Sequence, residues 1–401
     1  MTHPLLSYLT SELGAIEADG LFKRERAITT PQSAHIRIVD ERAQGGEREL
    51  LNLCANNYLG LANHPALREA AKEAIDRYGC GSGASRLISG NMTLHEELET
   101  KIAELKGTEA ALVFNSGFQA NTGVIPVLVG EEDVILSDAL NHASIIDGCR
   151  LARAKIVVYK HGDIDELERG LKNSLPNRRK LIVTESLFSM DGDEAPLSDI
   201  VDLAEQHGAM VMVDEAHATG VYEPNGAGIV AKLGLGERVL VQMGTLGKAL
   251  GGFGAYVAGS KALRELLVNR CRSFIFTTSL PPAVMAMSIA AIDLIKKEPE
   301  RRQALRNNCQ LLRSGLESLR YSMGTNQSQI LPLMIGDATQ CMKLSEELLQ
   351  RGVFAQGIRP PTVPAGTSRL RITLMATHTR EHIDQALKVF EEVALKIEDG
   401  R

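Results

Sequence analysis

The sequence predicts an α/β protein: a mostly parallel, doubly wound sheet with helices on both faces, followed by a smaller α+β domain. Three observations carry this prediction. Seven short apolar runs recur with helical patterns between most of them: AALVF (110–114), DVILSD (133–138), KIVVYK (155–160), KLIVTE (180–185), AMVMVD (209–214), RVLVQM (238–243) and AYVAG (255–259). These runs lack polar alternation, as expected of strands covered on both faces of a parallel sheet. After Pro281-Pro282 the texture changes to long helical stretches separated by two strand-like runs, QILPLMIG (329–336) and RLRITLM (369–375).

In chain order, residues 1–55 read as an N-terminal helix and small strands. The chain up to about Ala27 is amphipathic and ends in a basic cluster, Lys23, Arg24 and Arg26, the pattern of a solvated or docking arm. HIRIVD (35–40) and ELLNLC (49–54) are short strands. Residues 56–290 form the large domain, opening with the helical patterns PALREAAKEAIDRYG (65–79) and TLHEELETKIAELKG (93–107). One long helical stretch, 283–319, leads into a small domain over 291–401 with its own antiparallel sheet and a final helix.

A chain of 401 residues accommodates this division, and an apolar fraction of 44% supplies a core. The net charge of −6 offers no basic stripe, so no nucleic-acid partner is expected. Six cysteines lie far apart and never as C-x-x-C, which is neither a zinc pattern nor a disulfide framework and suits a reducing compartment. The N-terminus lacks the basic-then-apolar order of a signal peptide, and no run approaches the roughly 18 apolar residues of a membrane span. A soluble, cytoplasmic protein without a metal site is expected.

Polar clusters recur where the strands end, the edge at which open α/β sheets bind ligands. AALVF runs into Asn115-Ser116-Gly117-Phe118, a strand feeding a helix start, where free amides favour an anion; an ordinary βα turn uses the same small residues. AMVMV ends at Asp214-Glu215-Ala216-His217, and a carboxylate on a buried strand tip needs a cation or donor unless it merely caps the next helix. RVLVQM leads to GTLGKALGGFG (244–254), one lysine among five glycines. This stretch fails the phosphate-loop template, because Gln242 stands where its first glycine belongs and Ala249 where its Ser or Thr belongs. Neither GSGASR (81–86) nor GFGAYV (252–257) completes a dinucleotide fingerprint.

An anion cradle, a strand-end carboxylate and a lysine on one sheet edge match pyridoxal phosphate. That cofactor has an aldehyde for a lysine amine, a ring nitrogen whose proton a carboxylate holds, and a phosphate. The glycines around Lys248 are expected to give its side chain room to swing. His142, in SDALNH (137–142), offers a face for the ring, although a lone histidine is more often an ordinary satisfied side chain.

The motifs taken together resemble the α-oxoamine synthases, fold-type I pyridoxal-phosphate enzymes that join an amino acid to an acyl thioester with loss of carbon dioxide. The likeness rests on NNYLGL (56–61), GSGASRLISGNMTLHEELE (81–99), FNSGFQAN (114–121), DALNHASIIDG (138–148), ESLFSMDGD (185–193), VDEAHATG (213–220), TLGKALGG (245–252), TTSLPP (277–282) and RLRITL (369–374). The resemblance implies that Lys248 binds the cofactor and then acts as base at the substrate α-carbon. It implies that Asp214 pairs with the ring nitrogen, that His142 stacks on the ring, and that Ser189 and His217 lie near its phenolic oxygen. It assigns Ser116, Gly117, Phe118 and Thr245 to the cofactor or its phosphate. Thr278 is implied to reach the phosphate of the partner subunit, since family sites are shared across a homodimer. Arg371 is implied to clamp the substrate carboxylate, with Asn57 nearby, and His142 and His217 to serve developing oxyanions. IRPPTVPAGTSRLR (358–371) resembles the branch that joins alanine to a pimeloyl thioester, carried by coenzyme A or acyl carrier protein, in biotin assembly; Thr362 then shapes the acyl site. GLFKRERAITTPQ (21–33) resembles the glycine-using branch, but the C-terminal segment borders the carboxylate clamp and takes precedence.

Overall fold

A computed structural model describes residues 4–40, 43, 45–175 and 178–399. Its strands are β1 (His35–Val39), β2 (Glu47–Asn52), β3 (Ala110–Phe114), β4 (Val134–Asp138), β5 (Lys155–Tyr159), β6 (Lys180–Glu185), β7 (Met210–Asp214), β8 (Val241–Thr245), β9 (Ala255–Gly259), β10 (Ile330–Gly336), β11 (Val353–Phe354), β12 (Gln356–Ile358) and β13 (Ser368–Thr373). The seven expected apolar runs are the seven strands of one sheet, in the order β3-β9-β8-β7-β6-β4-β5. All neighbours are parallel except β9, which runs antiparallel to β3 and β8. The fold is therefore α/β with a mostly parallel sheet.

Successive side chains on a strand point to opposite faces, so an unbroken apolar run feeds two cores at once. Leu136, Ile182 and Val213 join the core on one face, while Ile135, Leu181, Val183 and Met212 join the core on the other. β4, β6 and β9 are buried along their whole length. β5 departs from the expectation that every run is covered on both faces: it is the edge strand, and Val158 is 62% exposed.

The expected single helix over 283–319 is two, Pro282–Lys297 and Glu300–Ser318. Pro299 lies between them; it cannot donate into a helix and pushes Glu298 out of the helical region, to φ −120° and ψ 61°. The first of these helices crosses residue 290, where a domain boundary was expected. The N-terminal helix, Pro4–Ala18, is shorter than the amphipathic pattern suggested, and Leu5, Leu9 and Leu13 stand exposed.

Two small sheets complete the chain, β10-β13-β12, which is antiparallel, and β1-β2-β11, in which β11 adds in parallel to β2. The segment between β2 and residue 58 is stitched to β13 and its continuation by Thr373 N–H to the Leu53 carbonyl (2.8 Å) and Ala376 N–H to the Tyr58 carbonyl (2.7 Å). This stitching brings the NNYLGL motif up to Arg371. Among the described residues no helix is long and apolar enough to cross a membrane, and no cluster of His, Cys, Asp and Glu could hold a metal ion.

Candidate active site

The lysine loop follows β8 and folds back on itself. Leu246 N–H reaches the Gly254 carbonyl (2.9 Å), Gly252 N–H the Leu246 carbonyl (2.8 Å) and Gly251 N–H the Lys248 carbonyl (3.0 Å). Two of its glycines are required by close packing. Gly251 has φ +65°, and a Cβ there would lie 2.4 Å from the Ala62 amide nitrogen; a Cβ on Gly244 would lie 2.4 Å from the Tyr256 hydroxyl. The loop is thus held by its own hydrogen bonds and by contacts at Gly244 and Gly251.

Lys248 Nζ lies 2.9 Å from His217 Nε2. His217 Nδ1 lies 2.7 Å from the Tyr58 hydroxyl, which also meets Asn56 Oδ1 at 3.1 Å and receives Arg371 Nη2 at 3.4 Å. One proton assignment satisfies the whole chain: Tyr58 donates to Asn56 and accepts from Arg371 and from His217 Nδ1–H, leaving Nε2 to accept from Lys248. Burial, reinforced by the charges of Lys248, Arg371 and His142, holds the His217 pKa well below its usual value, so the ring is neutral. Burial likewise lowers the Lys248 amine to about 8, with Arg371 acting in the same sense against Asp214 and Glu185.

Asp214 sits at the tip of β7, 5% exposed. One oxygen accepts the Ala216 N–H (2.9 Å) and the other accepts Asn121 Nδ2 (2.9 Å). Asn121 also donates to Ser144 Oγ (3.0 Å), which lies 2.7 Å from His142 Nδ1. His142, after β4, is exposed and precedes the helix Ala143–Ala152; its backbone N–H donates to Glu185 Oε1 at 2.7 Å. Burial and the neighbouring Asp214 charge raise the Glu185 carboxyl to about 8. Although the ring is exposed on one side, the protein packed around the rest of it desolvates the imidazole and lowers the His142 pKa, opposed by Asp214 and assisted by Lys248.

Ser116 caps the helix Gly117–Leu128, its Oγ accepting Gln119 N–H at 3.2 Å, which leaves the amides of Gly117 and Phe118 outside the helix ladder. A Cβ on Gly117 would lie 2.9 Å from Thr245 Cγ2 and 3.0 Å from Met243 Cε, so a side chain there would crowd the helix start against the end of β8. Arg371, on the central strand of its sheet and only 7% exposed, donates Nε to the Ser189 carbonyl (2.5 Å) and Nη1 to Asn56 Oδ1 (3.1 Å).

The structure therefore brings Lys248, His217, Asp214, His142, Ser189 and Arg371 together, with Ser116, Gly117 and Thr245 at the cradle. Two expected residues, Asn57 and Thr362, stand apart, while Thr278 was expected at the partner subunit's phosphate rather than in this protomer's site. Asn57 turns its Oδ1 to the Ala62 N–H (3.0 Å), and Asn56 takes the position beside Arg371. Thr278 is exposed, its carbonyl accepting Asn115 Nδ2 at 2.8 Å. Thr362 is exposed on a separate cavity of about 930 Å³, lined also by Phe22, Met342, Ile358, Arg24, Arg26 and Arg359. Tyr58, Asn56, Asn121, Ser144 and Glu185 escaped the sequence reading. Each lies within or beside a quoted motif, but nothing in the spacing says which polar side chain turns inward.

This donor set fits pyridoxal phosphate. A deprotonable buried lysine, a buried carboxylate whose oxygens keep a free lone pair each, open helix-start amides and an exposed imidazole face are its four requirements. Asn121 Oδ1, buried without a partner, leaves a polar atom available in the same cluster. The chain matches the aminotransferase class I and II family over residues 48–390. It is 51% identical to the 8-amino-7-oxononanoate synthase of Geotalea daltonii over 96% of this chain and 97% of that one. The chain belongs to this family, in its 8-amino-7-oxononanoate synthase branch. Among solved structures it superposes on a variant of the S. paucimobilis serine palmitoyltransferase with bound pyridoxal phosphate and myriocin at a TM-score of 0.91, with 32% identity over 99% and 100% of the two chains. The 8-amino-7-oxononanoate synthase of Francisella tularensis superposes at 0.74, with 27% identity over 87% and 98%. The relatives' name agrees with the branch that residues 358–371 resemble rather than with the one that residues 21–33 resemble.

Proposed function

We propose that this protein condenses L-alanine with a pimeloyl thioester, carried by coenzyme A or acyl carrier protein, to form 8-amino-7-oxononanoate, carbon dioxide and free thiol. The chain is a pyridoxal-phosphate-dependent acyltransferase of biotin synthesis. The observation that carries the residue assignments is the unbroken polar chain from the Lys248 amine through His217 and Tyr58 to Arg371. It ties a proton carrier to a carboxylate receptor in one rigid array, which is what deprotonation beside a carboxylate demands.

Bound pyridoxal phosphate supplies an aldehyde for amines and an electron sink for charge at the substrate α-carbon. Lys248 would hold it covalently and, once released, would remove and return the α-proton; an amine lowered to about 8 is largely able to accept a proton at mildly alkaline pH. Asp214, kept in place by Asn121 and Ala216, holds the proton of the ring nitrogen. The amides of Gly117 and Phe118, with Ser116 and Thr245, take the phosphate. His142 would cover the ring, and Ser189 and His217 would lie near its phenolic oxygen. Arg371, steadied by Asn56 and the Ser189 carbonyl, binds the alanine carboxylate through its remaining donors.

A second copy completes the site. Leu87, Ile88 and Phe276 are 51%, 81% and 70% exposed on two segments bound together by Ser82 Oγ to the Ser279 carbonyl (2.7 Å) and Ser279 N–H to the Ala84 carbonyl (3.0 Å). Such an apolar ridge is a protein-contact surface, and it carries Thr278 toward the partner subunit's phosphate. The test is thiol release from L-alanine plus pimeloyl-CoA against glycine plus acetyl-CoA. Preference for the second pair overturns the substrate assignment.

A further inference from the structure

His161, in the turn after β5, touches none of the residues assigned above. Its imidazole is nevertheless gripped on both nitrogens: Nδ1 lies 2.9 Å from Asp138 Oδ1 and Nε2 lies 2.7 Å from Asp193 Oδ2. Asp138 ends β4 and also receives the N–H groups of Leu140 (2.8 Å) and Gly162 (3.0 Å), so that side of the bracket is anchored in the large sheet. Asp193 closes a tight loop in which Phe188 N–H reaches the Asp193 carbonyl (3.0 Å) and Gly192 N–H the Phe188 carbonyl (2.8 Å). The Phe188 ring meets His161 edge-on, with centroids 4.3 Å apart.

The same loop grips one face of β13. The Ser189 carbonyl holds Arg371 Nε, the Asp191 carboxylate holds Arg369, and the Asp191 carbonyl receives Asn326. Arg369 and Arg371 are two residues apart and so share a face of the strand. We propose that His161 is a positioning residue for recognition of the substrate carboxylate, fastening the Phe188–Asp193 loop to the large sheet so that the Ser189 carbonyl fixes the Arg371 guanidinium. The proposal rests on the reading of Arg371 as the carboxylate clamp.

A cation is what the bracket needs. Two carboxylates on either side of a neutral side chain repel each other, which weakens the join between the loop and the large sheet. Burial works against the imidazolium, but hydrogen bonds and charges from Asp138 and Asp193 outweigh it and raise its pKa to about 10. The imidazole is therefore charged throughout the neutral range.

The experiment uses cofactor-loaded enzyme and follows the visible absorption change as L-alanine or L-alaninamide binds. His161→Gln removes the charge, and Asp193→Asn loosens the same grip from a more exposed position should the first variant fold poorly. Both are expected to weaken L-alanine by about tenfold while leaving L-alaninamide, which lacks the carboxylate, within about twofold. Arg371→Gln sets the benchmark for loss of the clamp. If that benchmark is selective for alanine but His161→Gln and Asp193→Asn change neither ligand, or weaken both equally, the positioning role is wrong. If Arg371→Gln itself is unselective, the clamp reading fails and takes this proposal with it.

Discussion

Replacing Tyr58 by phenylalanine isolates the polar chain that joins the two halves of the site. The ring is fully buried and phenylalanine preserves its volume, so no cavity opens and the change is confined to one hydroxyl. That hydroxyl accepts from His217 at 2.7 Å and from Arg371 at 3.4 Å, and both donors stay buried without it. A buried donor left unsatisfied costs about 1–3 kcal/mol. The short His217 contact dominates and the long Arg371 contact adds little, which places the loss near about 2 kcal/mol. Because the freed imidazole no longer aims Nε2 at Lys248, this loss falls on the reacting geometry, and 2 kcal/mol is about thirtyfold in kcat/KM. The assay is thiol release from pimeloyl-CoA with L-alanine, alongside the visible cofactor band, which should persist because Lys248 is intact. A variant whose kcat/KM stays within about twofold of wild type, with the band unchanged, refutes the argument that the chain orients the lysine. Loss of the band itself would instead assign Tyr58 to cofactor retention.

Three further outcomes are expected. In the cofactor-free protein the rate of pyridoxal phosphate capture, followed by stopped-flow absorbance, should rise through about pH 8 and then level, because the neutral amine is the nucleophile; a midpoint near the ordinary lysine value of 10.5 contradicts the burial of Lys248. Gly117→Ala forces a Cβ to within 2.9 Å of Thr245 Cγ2, and overpacking of about 1 kcal/mol or more should weaken cofactor binding at least about fivefold, read by equilibrium dialysis; unchanged affinity would show that the cradle is loose. For His161 the folded pKa lies above the unfolded value of 6.5, so its stabilisation is complete below that pH and disappears as pH rises through about 10. The Tm gap between wild type and His161→Gln should therefore be wide at pH 6 and shrink toward pH 10; a gap that widens with pH would reverse the sign of the argument.

The large sheet was legible in the sequence because each strand reports its own burial. A run such as KLIVTE or AMVMVD has no polar face, and only a position between two helical layers accepts that. Lys248 and Asp214 were legible for a related reason, since a charged residue at the tip of a buried run requires a partner or a task. What periodicity could not reveal is the neighbour of each strand. KIVVYK and KLIVTE read alike, yet β5 is the exposed edge and β6 lies inside, because strand order is set by crossover connections rather than by local pattern.

The sequence by itself determined the fold class, the cofactor chemistry and the lysine proposed to carry it, because these depend on residue type and on spacing within single motifs. Tertiary structure alone decided which polar side chains converge on them. Tyr58 meets His217 across 159 residues, Arg371 meets Asn56 rather than its neighbour Asn57 across 315, and His161 reaches the Arg371 loop through two aspartates. One residue of register separates Asn56 from Asn57, and adjacent side chains face opposite ways, so only the folded chain can say which of them turns toward the arginine.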